Sequence, residues 1–388
     1  MSKLHLDSFV VKQFRIFRNL EIPRLGQVNL ITGKNAVGKT ALLEALRLFS
    51  DNGSTRMLRQ LLDERGELYR IDNQLEPPPE SVAETNIYDS VRNIFCGRPD
   101  VQDSINPVEI GPIHPSQSRL TIAPVLLVEE IGEDRIPRYR LSSQQRPFEQ
   151  IRLNNGERTF VEQIPGLAIN SGSASELILP LSRFVDRRRP LEMRPGPPRF
   201  RNVFIPTQGA PMPGLRSLWE AITLTDLEAD VKEALNIVSP EKIEGINIVG
   251  SASYRGEGAV LVRTESNARP VPLRTLGEGM MRAFALSLAL INAKDGLLLV
   301  DEIDIGLHYS IQYELWKLIF AVAQQLNVQV FATTHNLDTV TTFQQAAAEQ
   351  ADLEGLLIRL QRHDDDIVPT FFDERRLAIA TREQIEVR

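Results

Sequence analysis

The segment Gly33-Lys34-Asn35-Ala36-Val37-Gly38-Lys39-Thr40 constrains this chain more than any other, because it fits the P-loop pattern at every fixed position. Glycines let the backbone curl so that successive amides face phosphate oxygens, and a helix starting directly afterwards turns its positive end to the same charge. The flanks supply both partners. Gln27-Val28-Asn29-Leu30-Ile31 reads as a buried strand, and Ala41 to Phe49 as a helix packed with apolar side chains. Lys39 is expected to neutralise charge on the β and γ phosphates, and Thr40 to offer its hydroxyl to Mg²⁺.

Roughly 260 residues later, Leu297-Leu298-Leu299-Val300 runs into Asp301-Glu302. A buried strand ending in a carboxylate is expected to place Asp301 beside the P-loop strand, holding Mg²⁺ through water. Glu302 would then face the γ-phosphate and orient or deprotonate the attacking water. A third apolar strand closes on Thr333-Thr334-His335, which puts His335 at the carboxyl edge of the sheet, within reach of the γ-phosphate or the water. A helix from about Tyr309 separates these two strands, as in a parallel sheet covered on both faces. Val203-Phe204-Ile205 reads as a strand, and Leu218 to Ile237 and Gly279 to Ala293 read as helical. From 51 to 200 the pattern is mixed. It holds a polar helical stretch, turn-rich prolines and β-like runs such as Ser118 to Ala123 and Arg138 to Leu141, with no sustained heptads.

In this order and at these separations, the three elements resemble the ATP-binding-cassette (ABC) ATPases, and among them the group containing the RecF, SMC and OLD proteins. Lys12-Gln13-Phe14-Arg15-Ile16-Phe17 followed by Asn29 to Asn35 is similar to that group's N-terminus. Leu273-Arg274-Thr275-Leu276-Gly277-Glu278-Gly279 stands where the family carries its signature, and its departures from Leu-Ser-Gly-Gly-Glu look like the OLD-like branch. The resemblance implies an α/β fold: an ABC-type ATPase head with a mainly parallel sheet flanked by helices, plus an antiparallel β lobe and an insertion. The implied core is discontinuous, 1–50 and 201–388, with 51–200 as the lobe bearing a helical and Arg/Pro-rich insertion. The implied ligands are ATP and Mg²⁺. The site is composite, with Thr275, Gly277, Glu278 and Gly279 of one subunit covering ATP on the P-loop of another. Ile303 to His308 resembles the loop that crosses that interface. Phe204-Ile205-Pro206-Thr207-Gln208 is similar to the family's Q-loop, which makes Gln208 either a group touching Mg²⁺ or the attacking water, or an ordinary loop glutamine. The stretch after His335 is too short for the Toprim nuclease of full-length OLD proteins, and Asp364 to Asp366 reads as a solvated turn.

Composition narrows the setting. Of 388 residues, 42% are hydrophobic, which excludes a wholly disordered chain. The single cysteine, Cys96, excludes an intrachain disulfide framework and suits a reducing compartment. No apolar run is long enough to span a membrane and no signal peptide opens the chain, so a cytoplasmic protein is expected. A net charge of −7 argues against general coating of nucleic acid. Against that balance, Arg183, Arg187, Arg188, Arg189, Arg194, Arg199 and Arg201 crowd a proline-punctuated stretch. They read either as contacts to nucleic-acid phosphate or as a solvated loop, one that an acidic partner would pair. The leading reading is an Mg²⁺-dependent ATPase whose ATP-bound homo-oligomer gates an effector, a nuclease or toxin in anti-phage defence. The alternative is a RecF-like ATP-dependent DNA-binding protein of repair or recombination. A P-loop kinase is disfavoured, since it leaves the signature and His335 without a role.

Overall fold

The computed structural model describes residues 4–68, 88–99, 105–131, 137–142, 148–152, 158–172, 176–181, 193–250, 258–350 and 353–372. In chain order the strands and helices are β1 (Phe9–Phe14), β2 (Phe17–Ile22), β3 (Val28–Thr32), α1 (Lys39–Ser50), α2 (Thr55–Glu64), β4 (Val108–Gly111), β5 (Leu120–Ile131), β6 (Pro137–Leu141), β7 (Phe148–Arg152), β8 (Arg158–Asn170), β9 (Glu176–Pro180) and β10 (Asn202–Ile205). Then come α3 (Met212–Glu220), α4 (Asp226–Val238), β11 (Ile243–Val249), β12 (Ala259–Thr264), β13 (Asn267–Pro272), α5 (Glu278–Asn292), β14 (Leu297–Val300), α6 (Tyr309–Gln325), β15 (Gln329–Thr333), α7 (Leu337–Ala348), β16 (Gly355–His363) and β17 (Asp366–Phe372). They form two compact units, one of residues 1–7, 24–43 and 200–388, the other of 8–23 and 44–199.

The first unit is an α/β core built on a mainly parallel sheet. Its six-stranded sheet runs β10-β14-β15-β3-β16-β17, parallel except for the antiparallel edge strand β17. β3, β14 and β15 are buried at every residue, so both faces of the sheet are covered and the strands are mostly apolar rather than alternating, with Asn29 and Gln329 buried and hydrogen-bonded among them. β3 is first in sequence among these strands and central in space, which places the P-loop at the carboxyl edge where open α/β sheets bind ligands. The sheet order differs from the expected adjacency of Asp301 to the P-loop strand: β15 lies between β14 and β3.

Helix α5 is built from strong helix formers and is buried at nearly every position from Met280 to Asn292, as a core helix must be. The stretch read as helical over 218–237 breaks at 221–225, where Leu224 takes φ 63°. Asp226 and Glu228 reopen it in the first turn of α4, favourably placed for the helix dipole. A small antiparallel sheet, β11-β12-β13, completes this unit.

The second unit is built on an eight-stranded antiparallel sheet whose main path is β2-β1-β4-β5-β8-β7. Residues 9–22, expected within the ATPase core, form its β1–β2 hairpin, and β1 pairs β4 through Val10 to Lys12. Within this unit Arg15 is buried against Glu44, Glu67 and the Asn93 carbonyl, and Arg47 makes a bidentate pair with Glu64. Burial alone would raise the Glu64 carboxyl, but the Arg47 pair outweighs it and holds the group below its ordinary value.

Candidate active site

Gly33 and Gly38 adopt φ +142° and +96°, backbone conformations that an L side chain rarely reaches. At Gly33 space forbids a side chain as well, since a Cβ would lie 2.4 Å from the Leu360 carbonyl oxygen of β16. Between them Lys34, Asn35 and Ala36 are exposed while Val37 is buried. Thr40 and the buried Lys39 open α1. The Lys39 ammonium donates to the Gly33 carbonyl at 2.9 Å and stands 3.6 Å from Glu302 Oε1.

Asp301, only 5% exposed, receives three threonine hydroxyls. Thr40 donates at 3.0 Å, Thr207 at 2.8 Å and Thr333 at 2.7 Å. The strand between β14 and β3 therefore bridges rather than separates, because Thr333 at its end spans the gap. Neither Thr207 nor Thr333 was legible as a site residue. Thr207 adjoins Gln208, and it is Thr207 that reaches Asp301, while Gln208 is exposed on the following turn. The Thr40 hydroxyl and the Asp301 carboxylate form a hard-oxygen pair of the kind Mg²⁺ selects. Among the described residues no group of three or more His, Cys, Asp or Glu gathers to hold a metal.

Glu302 takes φ +48°, the left-handed region, uncommon for a residue with a side chain. Its amide donates to Thr333 Oγ1 at 2.8 Å, and the next amide, of Ile303, donates to the Thr333 carbonyl at 2.9 Å. The carboxylate lies between two cationic or proton-bearing groups, Lys39 on one oxygen and His335 Nδ1 at 2.6 Å on the other. A proton on Nδ1 completes that hydrogen bond. Glu302 is 15% exposed and His335 54% exposed, so the pair sits at the mouth of the site. Arg282 of α5, buried, also points here: its guanidinium donates to the carbonyls of Pro206, Asp301 and Glu302. Burial pushes its pKa below the ordinary arginine value, opposed by the nearby Asp304 and Asp301 carboxylates.

The signature-like residues span the turn ahead of α5 and its first two residues, Glu278 and Gly279. Thr275 Oγ1 donates to the Pro272 carbonyl at 2.7 Å, Gly277 takes φ +114°, and Arg274 pairs with Glu278. Gly279 backs onto the 304–308 loop, since a Cβ there would come within 3.0 Å of the Gly306 carbonyl oxygen. In that loop Asp304 accepts from Thr334 Oγ1 at 2.5 Å, and His308 caps α6 by accepting from the Ser310 amide. Of the seven arginines, 183, 187, 188 and 189 lie outside the described residues. The other three are engaged within the fold. Arg194 pairs with Asp51, Arg201 donates to Asn292, and Arg199 donates to Asn52 and the Ser171 carbonyl while lying 4.5 Å over the Phe49 ring. Burial lowers the Arg199 pKa, as expected of a guanidinium used in packing.

Residues 183–340 match the family described as "AAA domain, putative AbiEii toxin, Type IV TA system", and residues 8–85 match a second family described as "AAA domain". An ATP/GTP phosphatase of Helicobacter pylori is similar over 95% of this chain and 96% of its own length, at 22% identity. The DNA replication and repair protein RecF of Listeria welshimeri is 45% identical over 12% of this chain. An uncharacterized protein of Methanocaldococcus jannaschii is 39% identical over 16% of it. Those two matches span only 13% and 30% of the relatives' own lengths. Among solved structures, an SMC head bound to the C-winged helix domain of ScpA aligns over 95% of this chain and 98% of that one, at 12% identity and a TM-score of 0.47. The SMC head domain of Thermotoga maritima aligns over 94% and 98%, at 12% identity and a TM-score of 0.40. The AAA-domain matches agree with the P-loop ATPase fold, and among the described residues no helix is long and apolar enough to cross a membrane.

Proposed function

We propose that this chain is an Mg²⁺-dependent ATP hydrolase whose nucleotide-bound homo-oligomer gates an effector. The observation that carries the reading is the placement of Glu302, held between Lys39 and His335 one residue beyond the threonine-bound Asp301. Lys39 and the P-loop amides bind the phosphates. Glu302 accepts a proton from water as its oxygen attacks the γ-phosphorus and the bond to the β–γ bridging oxygen breaks, while His335 orients the carboxylate and meets the phosphoryl oxygens. Mg²⁺, held by Thr40 and Asp301, would neutralise charge on the leaving and transferring phosphates. Gln208 is not needed in this scheme.

Assembly is supported by the exposed turn Thr275 to Gly279 and by Ile305, Tyr309 and Leu337, which stand 42%, 65% and 45% exposed around the 304–308 loop and the start of α7. A second copy of the chain would cover them and bring Thr275, Gly277, Glu278 and Gly279 to the nucleotide. Similarity to a family of type IV toxin–antitoxin systems favours a defence setting, with a toxin or nuclease as the effector. The RecF-like alternative is less well served, because Arg194 and Arg199 are half-buried and bonded within the β lobe, although Arg201 is exposed.

Phosphate release and light scattering with size-exclusion chromatography test the reading together. Wild type releases phosphate from ATP only with Mg²⁺. Glu302→Gln lowers kcat by about 10²-fold or more while accumulating an ATP-bound oligomer, and Lys39→Ala forms none. Identical monomers for all three proteins with and without ATP would overturn the gating; phosphate release unchanged by Glu302→Gln would overturn the catalytic assignment.

A further inference from the structure

We infer that Arg282 is a positioning residue for hydrolysis, setting the backbone of Glu302 from the helix that begins at the exposed signature-like turn. This rests on the hydrolase reading above. A single guanidinium nitrogen, Nη2, donates to the carbonyls of both Asp301 and Glu302, at 3.1 and 2.9 Å, while Nη1 donates to the Pro206 carbonyl at 3.1 Å. Pro206 directly precedes Thr207, whose hydroxyl holds the Asp301 carboxylate. Arg282 thus ties three backbone points on two loops, one after β10 and one after β14.

The need for such a tie follows from the conformation of Glu302. A non-glycine residue at φ +48° is strained and persists only where its surroundings over-determine it. Thr333 restrains it through the Glu302 and Ile303 amides, and on the carbonyl side Arg282 gives the shorter of two bonds, the other coming from the Ile305 amide at 3.2 Å. Without Arg282 the Asp301 and Glu302 carbonyls lose their shared side-chain donor, and the Glu302 carbonyl keeps only the longer bond from the Ile305 amide at 3.2 Å, so the segment can shift and carry the carboxylate from its place between Lys39 and His335. The pattern of α5 fits this use. Arg282 is a charged residue, 7% exposed, in a helix whose other buried side chains are almost all apolar, and its Nε has no acceptor. A core helix accepts the desolvation of a guanidinium only when it is hydrogen-bonded to something that matters. Glu278 opens α5 one helical turn before Arg282, so a subunit or ligand pressing on Thr275 to Gly279 acts on a helix already fastened to the carboxylate loop.

The test compares wild type, Arg282→Lys and Arg282→Met in steady-state ATP hydrolysis and in binding of a fluorescent ATP analogue, with thermal melts as the check on folding. Misplacement of a catalytic group by about 1 Å costs about 10²-fold, so Arg282→Met should lower kcat by about 30- to 100-fold, with KM and analogue affinity within threefold. Arg282→Lys, which keeps a charge and a donor but lacks the planar fork, should recover part of that loss, to within about tenfold of wild type. Should Arg282→Met fail to fold, Arg282→Lys decides alone, through a kcat reduced at unchanged KM. A kcat within twofold of wild type in the folded variants, or a loss of analogue binding as large as the loss of kcat, overturns the inference. Failure of the hydrolase reading looks different: wild type itself then turns over no ATP, and both fall. If Glu302→Gln abolishes turnover and Arg282→Met does not, only the role of Arg282 falls.

Discussion

Replacing Thr333 by valine isolates what the bridging strand contributes. The side chain is fully buried, and valine preserves its shape while removing the hydroxyl. Two interactions go with it: the bond donated to the Asp301 carboxylate at 2.7 Å and the bond accepted from the Glu302 amide at 2.8 Å. A hydrogen bond to a charged group contributes about 1.5–3 kcal/mol, and a buried amide left without an acceptor costs about 1–3 kcal/mol. Asp301 keeps Thr40 and Thr207, which favours the lower half of the first range, and the new buried methyl returns about 0.8 kcal/mol. The net expectation is a loss of about 2–4 kcal/mol. Both tryptophans, Trp219 and Trp316, are buried in the α/β unit, so urea unfolding followed by tryptophan fluorescence reports on the unit that contains Thr333. Thr333→Ser keeps the hydroxyl and loses only a methyl, and it should fall within about 1 kcal/mol of wild type. A Thr333→Val protein as stable as wild type, or a serine variant as unstable as the valine one, would refute the bridging argument.

Gly33→Ala forces a Cβ to within 2.4 Å of an immobile carbonyl at φ +142°, so the same fluorescence assay should show a loss of at least about 2 kcal/mol, accompanied by lost binding of the ATP analogue. In the β lobe, Glu64 has a carboxyl held below its ordinary value by Arg47. A depressed folded pKa means that its contribution is complete above the unfolded carboxylate value of about 4.3 and is lost as pH falls through the folded one. Since Glu64 is partly exposed, Glu64→Gln should cost only about 0.5–1 kcal/mol at pH 7 by circular dichroism, and the difference should shrink towards zero below about pH 4.

The parts of the site that the sequence displays are those whose chemistry forces a local pattern. A P-loop needs glycines at fixed positions, and a strand buried on both faces is mostly apolar, so β3, β14 and β15 and the acidic pair and histidine that follow two of them are visible in the sequence. Sheet order is different in kind. It depends on which crossover passes over which strand, and β15 inserts between β14 and β3 without any local sign. For the same reason the 9–22 hairpin, adjacent in sequence to the P-loop strand, belongs to the antiparallel sheet. Thr207 and Thr333 escape notice because threonine is ordinary at strand ends, and only the fold brings their hydroxyls to one carboxylate. Arg282 did leave a trace, a lone charge in an otherwise apolar core helix, and that is a signal worth reading in other chains. In the arginine stretch the sequence does not separate packing from exposure: Arg194 and Arg199 are half-buried, one in an ion pair and one over the Phe49 ring, while Arg201 is exposed.

The left-handed backbone of Glu302 sets a conflict between endurance and turnover. Glycine at position 302 would relieve the conformational cost, and asparagine would ease it, so both substitutions lie among those that raise thermal stability. Either would remove the carboxylate. A population selected for heat resistance alone would thus drift toward robust, silent proteins, and only continued demand for hydrolysis would keep a glutamate where the backbone resists it.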